Sequence, residues 1–194
     1  MIATEAPPAY QAYVDILARV RRMKSSSSSG TPAGHPSQYW SEELSNFDYM
    51  LEASPRIVEK LRHHCFHITG TRVYEYRTNQ DARKAVFEQR LNELVARGGR
   101  ELLVPESPIL GGFGYDIGGD LFNIDTLKYY EVLVGLKTSG QIDPFHGAER
   151  RIVWEIGAGW GGFAYQFKKL FKNTTYIIVD FPELFLFSAV YLSQ

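Results

Sequence analysis

Residues 155–162 read Glu-Ile-Gly-Ala-Gly-Trp-Gly-Gly, and chemistry-bearing types concentrate there. Gly157, Gly159 and Gly162 satisfy G-x-G-x-x-G, while Gly157, Gly159 and Gly161 satisfy G-x-G-x-G. Glycine allows the sharp turn out of a strand, admits a ligand where a Cβ would stand, and lets the next helix pack closely. Free N–H groups at that helix start then face the ligand. Two carboxylates refine this reading. Glu155 stands two residues before Gly157, where a dinucleotide motif carries an apolar residue; beside a pyrophosphate it would be repelled and unpaired. It suits a ligand that presents a cation or hydrogen-bond donors. Asp180 ends the following β-like run, where a carboxylate can accept hydrogen bonds from both ribose hydroxyls. S-adenosylmethionine, which has no phosphates and carries an ammonium and a sulfonium, is therefore expected ahead of NAD. An NAD-dependent oxidoreductase is the lesser alternative.

The elements that must position these groups follow from periodicity. "RIVWEIG" (151–157) reads as a short strand and "NTTYIIVD" (173–180) as a second, buried one. Between them Phe163, Phe167, Leu170 and Phe171 fall on one helical face. Two strands joined by a helical crossover must be parallel. "PELFLFSAVYL" (182–192) opens on proline and reads as a helix apolar on nearly every side. Upstream, helices are predicted over 8–24, 41–53, 55–69 and 79–99. The first has a stripe of Tyr13, Leu17, Val20 and Met23 and a basic, solvated end. A further helix is predicted to about Leu136, with Asp125 as its N-cap. Residues 25–38 are Ser/Gly/Pro-rich and read as a linker.

Other candidates are weaker. His63 and His67 share a helix face around Cys65, but two such ligands do not complete a metal site, so no metal is expected. "GGFGYDIGGD" (111–120) lacks the Lys-Ser/Thr of a phosphate loop. It reads as a structural turn or as a flap offering Tyr115, Asp116 and Asp120 to a sugar. His146, alone in a connector, is a poor candidate for a general base.

Composition narrows the classes. The 194 residues are 44% hydrophobic and 22% charged, with net charge −1. No bulk basic field exists to attract nucleic acid or an anionic membrane. Cys65 is the sole cysteine, so no intrachain disulfide forms, which fits a reducing cytoplasm. The most apolar window, 181–192, is too short for a bilayer.

The combination "VPESPILGGFG", "FNIDTLKYYEVL" and "VWEIGAGWGGFAYQFKKLFKNTTYIIVDFPELFLFSAVYL" is similar to the bacterial sugar O-methyltransferase family, within the class I S-adenosylmethionine-dependent methyltransferases. The resemblance covers about residues 100–194. It implies an α/β chain: a helical N-terminal region, then the first β-α-β-α unit of a Rossmann-like fold. On this reading residues 1–24 are an N-terminal helix, 25–38 a linker, 39–145 a mostly helical substrate or lid region, and 146–194 an incomplete cofactor-binding domain. It implies Glu155, Gly157, Ala158, Gly159 and Trp160 around the methionine half of the cofactor, Asp180 at the ribose and Phe181 near the adenine. Tyr129 and Tyr130 become wall candidates beside Tyr115 and Asp116. The expected activity is methyl transfer to a hydroxyl of a sugar or related small molecule. Only two of about seven strands are present, so the sequence reads as an N-terminal portion, with the catalytic base beyond Gln194 and this chain inactive alone. With so little sheet, the last helix is expected to stay uncovered and drive self-association, in a non-catalytic alternative as well.

Overall fold

The computed structural model describes residues 8–27, 36–77 and 81–194. It is mixed α/β and mostly helical, with two small sheets. The elements are α1 (Pro8–Ser27), α2 (Gln38–Ser45), α3 (Phe66–Thr69), α4 (Asp81–Gly98), β1 (Tyr115–Ile117), β2 (Asp120–Phe122), α5 (Ile124–Thr138), β3 (Arg151–Ile156), α6 (Gly162–Leu170), β4 (Thr174–Val179) and α7 (Phe185–Leu192). Short 3-10 turns join several of them.

Local chemistry sets the boundaries. Helix α1 runs three residues into the expected linker, most of which lies outside the described residues. At its basic end Arg19, Arg21 and Arg22 are exposed as predicted, while Lys24 is half-buried and pairs with Glu183 at 2.6 Å and Asp48 at 3.3 Å. Helix α2 starts at Gln38 rather than Ser41, since the Ser37 hydroxyl accepts from the Trp40 N–H and caps it. Pro55–Cys65 is a 3-10 segment broken at Lys60, not one long helix, and only Phe66–Thr69 is α-helical before left-handed Gly70. The cap of α5 is Asn123, whose carboxamide accepts from the Asp125 and Thr126 N–H groups at 3.0 Å each. Asp125, expected there, sits inside the first turn and faces the interior. The glycine-broken loop at 111–120 contains a hairpin: β1 and β2 pair antiparallel, and Gly118 and Gly119 (φ +68° and +92°) make its turn.

β3 and β4 pair in parallel from Arg151↔Thr174 to Ile156↔Val179, with α6 as the crossover. Strand β4, expected to be buried, is mostly half-buried, from buried Thr174 to Val179 at 44% exposure. Val153 packs inward with Tyr176 and Phe167, whereas Ile152, Trp154 and Ile156 are 62%, 67% and 84% exposed. Strand alternation gives the sheet two faces, and only one is covered along β3.

Two apolar clusters hold the chain together. One joins Tyr13 and Val20 of α1, Phe47, Met50, Leu61 and Trp160 to Leu186, Phe187 and Val190 of α7. Helix α7 is thus not left uncovered: Leu186, Phe187 and Val190 are fully buried. Helix α1 and the 3-10 segment supply the cover that the small sheet lacks. Each such side chain contributes about 1.5–3 kcal/mol, while Phe185, Ala189 and Leu192 on the same helix stay half-buried. The second cluster packs Phe87, Leu91 and Leu94 of α4 on Leu127, Tyr130 and Leu133 of α5, beside Phe167 and Phe171.

Between the clusters lies a buried ion network. The Arg62 guanidinium donates to Glu106 (Nε to Oε1, 2.5 Å) and Asp125 (Nη2 to Oδ2, 3.1 Å). Thr71 also donates to Asp125, and Asn123 to Glu106. The guanidinium lies 3.6 Å from the centre of the Trp160 ring.

Candidate functional site at the glycine loop

The loop leaving β3 alternates left-handed glycines: Gly157 (φ +76°), Gly159 (φ +59°) and Gly161 (φ +82°). Side chains rarely adopt these angles, which is why the motif spaces glycines by two. The Gly157 N–H donates to the Val179 carbonyl at 2.9 Å, so strand pairing continues to the loop's edge. Asp180 then ties the loop to the end of β4. Its carboxylate accepts from the Gly159 N–H at 2.8 Å and the Phe181 N–H at 2.9 Å. Burial lifts this carboxyl above its ordinary value, against the N–H groups that favour its charge.

A crevice of about 720 Å³ opens at the carboxyl ends of the two strands, where parallel α/β sheets place their ligands. Ile156, Gly157, Gly159, Val179, Asp180 and Phe181 form its sheet-side wall. The facing wall is helical: Tyr39, Trp40, Glu43 and Phe47 around α2, with His67 and Ile68 from α3. Ile68 closes directly on the loop, since a Cβ at Gly159 would stand 2.7 Å from its Cγ2. Among the described residues, Glu43 and Asp180 are the carboxylates on the lining, and it carries neither lysine nor arginine.

Gly157, Gly159, Asp180 and Phe181 are the sequence candidates that meet in this crevice. The others are placed elsewhere. Glu155 shares the inward face of β3 with Val153, and its carboxylate accepts from the Tyr176 hydroxyl at 3.0 Å. Burial holds it above the usual carboxylate range. Glu155, expected at the ligand ammonium, is thus not among the residues that line the crevice. Ala158 is buried, and Trp160 is 2% exposed, packed on Tyr191, Tyr129 and Arg62. Trp160 anchors the loop from behind. Tyr129 supports the same side, against Trp160 and Phe163. Tyr130 is fully buried in the second cluster, with its hydroxyl donating to the Gly99 carbonyl at 2.8 Å. Tyr115 packs between Tyr76 and Phe87, and Asp116 accepts from Gly119 within the hairpin turn, so neither reaches the crevice. The exposed Asp120 opens β2 beside that turn, paired with Ile117.

His63 packs edge-on against Phe113, His146 against Phe171, and burial pushes the Cys65 thiol up to about 12. Among the described residues no group of three or more His, Cys, Asp or Glu is arranged to hold a metal, and no helix is long and apolar enough to cross a membrane. The helical wall was missed from sequence. Its one local signal is the adjacent aromatic pair Tyr39-Trp40 on a short polar helix; His67 attracts notice only as a metal ligand. No family model, no curated protein and no solved structure matches this chain.

Proposed function

We propose that this chain binds S-adenosylmethionine in the crevice between the glycine loop and α2, as part of a methyltransferase with a Rossmann-like cofactor unit. The observation that carries the proposal is Asp180. It holds a carboxylate at the carboxyl end of β4, in one crevice with Gly157 and Gly159. The remaining lone pairs of that carboxylate suit the two ribose hydroxyls. The acidic lining, with no lysine or arginine among its described residues, suits a phosphate-free nucleoside and disfavours a dinucleotide. When bound, the cofactor supplies an electrophilic methyl group on sulfur. The chain's own part is to orient it: the glycine loop brings backbone against the ligand, while Trp160 and Arg62 brace that loop. An acceptor hydroxyl on a sugar or related small molecule rests on the sequence resemblance.

Calorimetric titration with S-adenosylhomocysteine and with NAD⁺ tests this. Binding of S-adenosylhomocysteine is expected, with Asp180→Ala weakening it at least about tenfold, the effect of losing one charge-assisted hydrogen bond or more. Binding of NAD⁺ alone would transfer the crevice to an oxidoreductase, and binding of neither would refute a nucleoside site.

A further inference from the structure

We infer that α2 supplies part of the nucleoside site, with Trp40 and Phe181 forming a corner that holds the purine ring. This rests on the nucleoside reading of the crevice and adds a residue that the glycine motif does not contain. Phe181 follows Asp180 directly, so a ligand whose ribose meets Asp180 has its base within reach of the Phe181 ring. Trp40 comes from the opposite wall and packs on that ring, with centroids 5.4 Å apart and planes tilted by 46°. A tilted pair is a corner rather than a parallel slot. A planar base can stack on one ring and present its edge to the other, both favourable for aromatic groups.

Exposure points the same way. Trp40 is 44% and its T-shaped neighbour Tyr39 is 62% exposed, although both line a crevice also built from Leu44, Phe47 and Leu184. Large rings left wet at the rim of an apolar cleft gain free energy when a flat ligand covers them. Charge selects among flat ligands. Glu43 lies three residues beyond Trp40 on α2 and lines the same space as Asp180, with no lysine or arginine among the described lining residues to neutralise a phosphate. The corner therefore takes an uncharged purine nucleoside rather than its phosphate.

The test uses the full chain, with adenosine, AMP and S-adenosylhomocysteine as probes. Trp40→Ala is expected to weaken adenosine and S-adenosylhomocysteine by about tenfold or more, the usual scale for losing a base-stacking ring. Its melting temperature should stay close to wild type, because Trp40 lies outside the two buried clusters. Trp40→Phe should keep most of the affinity. Fluorescence adds a readout that a purely structural role would not move. Ligand quenching should persist in Trp154→Phe and disappear in Trp40→Phe. AMP should bind at least about tenfold more weakly than adenosine, as expected when a charged group enters a site of like sign. Wild-type affinity for S-adenosylhomocysteine in Trp40→Ala, quenching that survives in Trp40→Phe, or AMP binding as tight as adenosine would each overturn this inference alone. Failure of the wild-type chain to bind either nucleoside would overturn it together with the cofactor reading.

Discussion

Glu155 shows how much one side chain's direction matters. Its type and spacing argue for a phosphate-free ligand, yet β3 turns it inward to Tyr176. Burial, reinforced by Asp180 and opposed by the Tyr176 hydroxyl, raises its pKa. The folded state therefore binds this proton at a higher pH than the unfolded chain does. The resulting stabilisation is complete below the unfolded value of about 4.3 and is lost as pH rises through the folded value. Glu155→Gln, neutral at every pH, is expected to melt higher than wild type near neutrality and to converge with it in acid. Thermal melts across pH check this, and equal melting temperatures at neutral pH would contradict it.

At the scale of elements, the glycine loop and α3 form one mechanical unit. Gly159 is constrained twice, by its φ of +59° and by Ile68 at 2.7 Å from the place of a Cβ. Gly159→Ala is expected to cost about 1–2 kcal/mol from backbone conformation, plus a steric contribution from Ile68. Combining it with Ile68→Ala should remove the steric part and leave the backbone part. Urea unfolding of the two single variants and the double should show non-additivity of at least about 0.5 kcal/mol. Strict additivity would mean that Ile68 does not press on the loop. The glycine spacing predicts the backbone half of this constraint. It contains nothing about Ile68, which lies about ninety residues earlier and arrives only through the packing of α3.

Over the whole molecule, Arg62 connects the two clusters. It is 1% exposed, pairs with Glu106 and Asp125, and stacks on Trp160 of the glycine loop. Removing the cation leaves two buried carboxylates without their partner. Arg62→Met is expected to cost about 3–5 kcal/mol, a large share of a typical domain's stability of about 5–15 kcal/mol. Arg62→Lys should rescue little, because an ammonium cannot reproduce the planar fork or the stack on indole. Urea unfolding measures both variants, and a loss below about 1 kcal/mol in Arg62→Met would deny the network this role.

Sequence alone determined the local features: the glycine loop between a strand and a helix, the parallel pairing that a helical crossover requires, the carboxylate at residue 180 and most of the helices. These are encoded by short-range periods and by residue types that few backbones tolerate. Tertiary structure decided which faces are covered. It buried α7 under α1, turned Glu155 away from the crevice, left Ile152, Trp154 and Ile156 exposed, and brought Tyr39 and Trp40 opposite Asp180. Each of those outcomes depends on contacts between segments far apart in the chain. A periodic pattern specifies that an element has an apolar face, but only packing selects the partner that meets it.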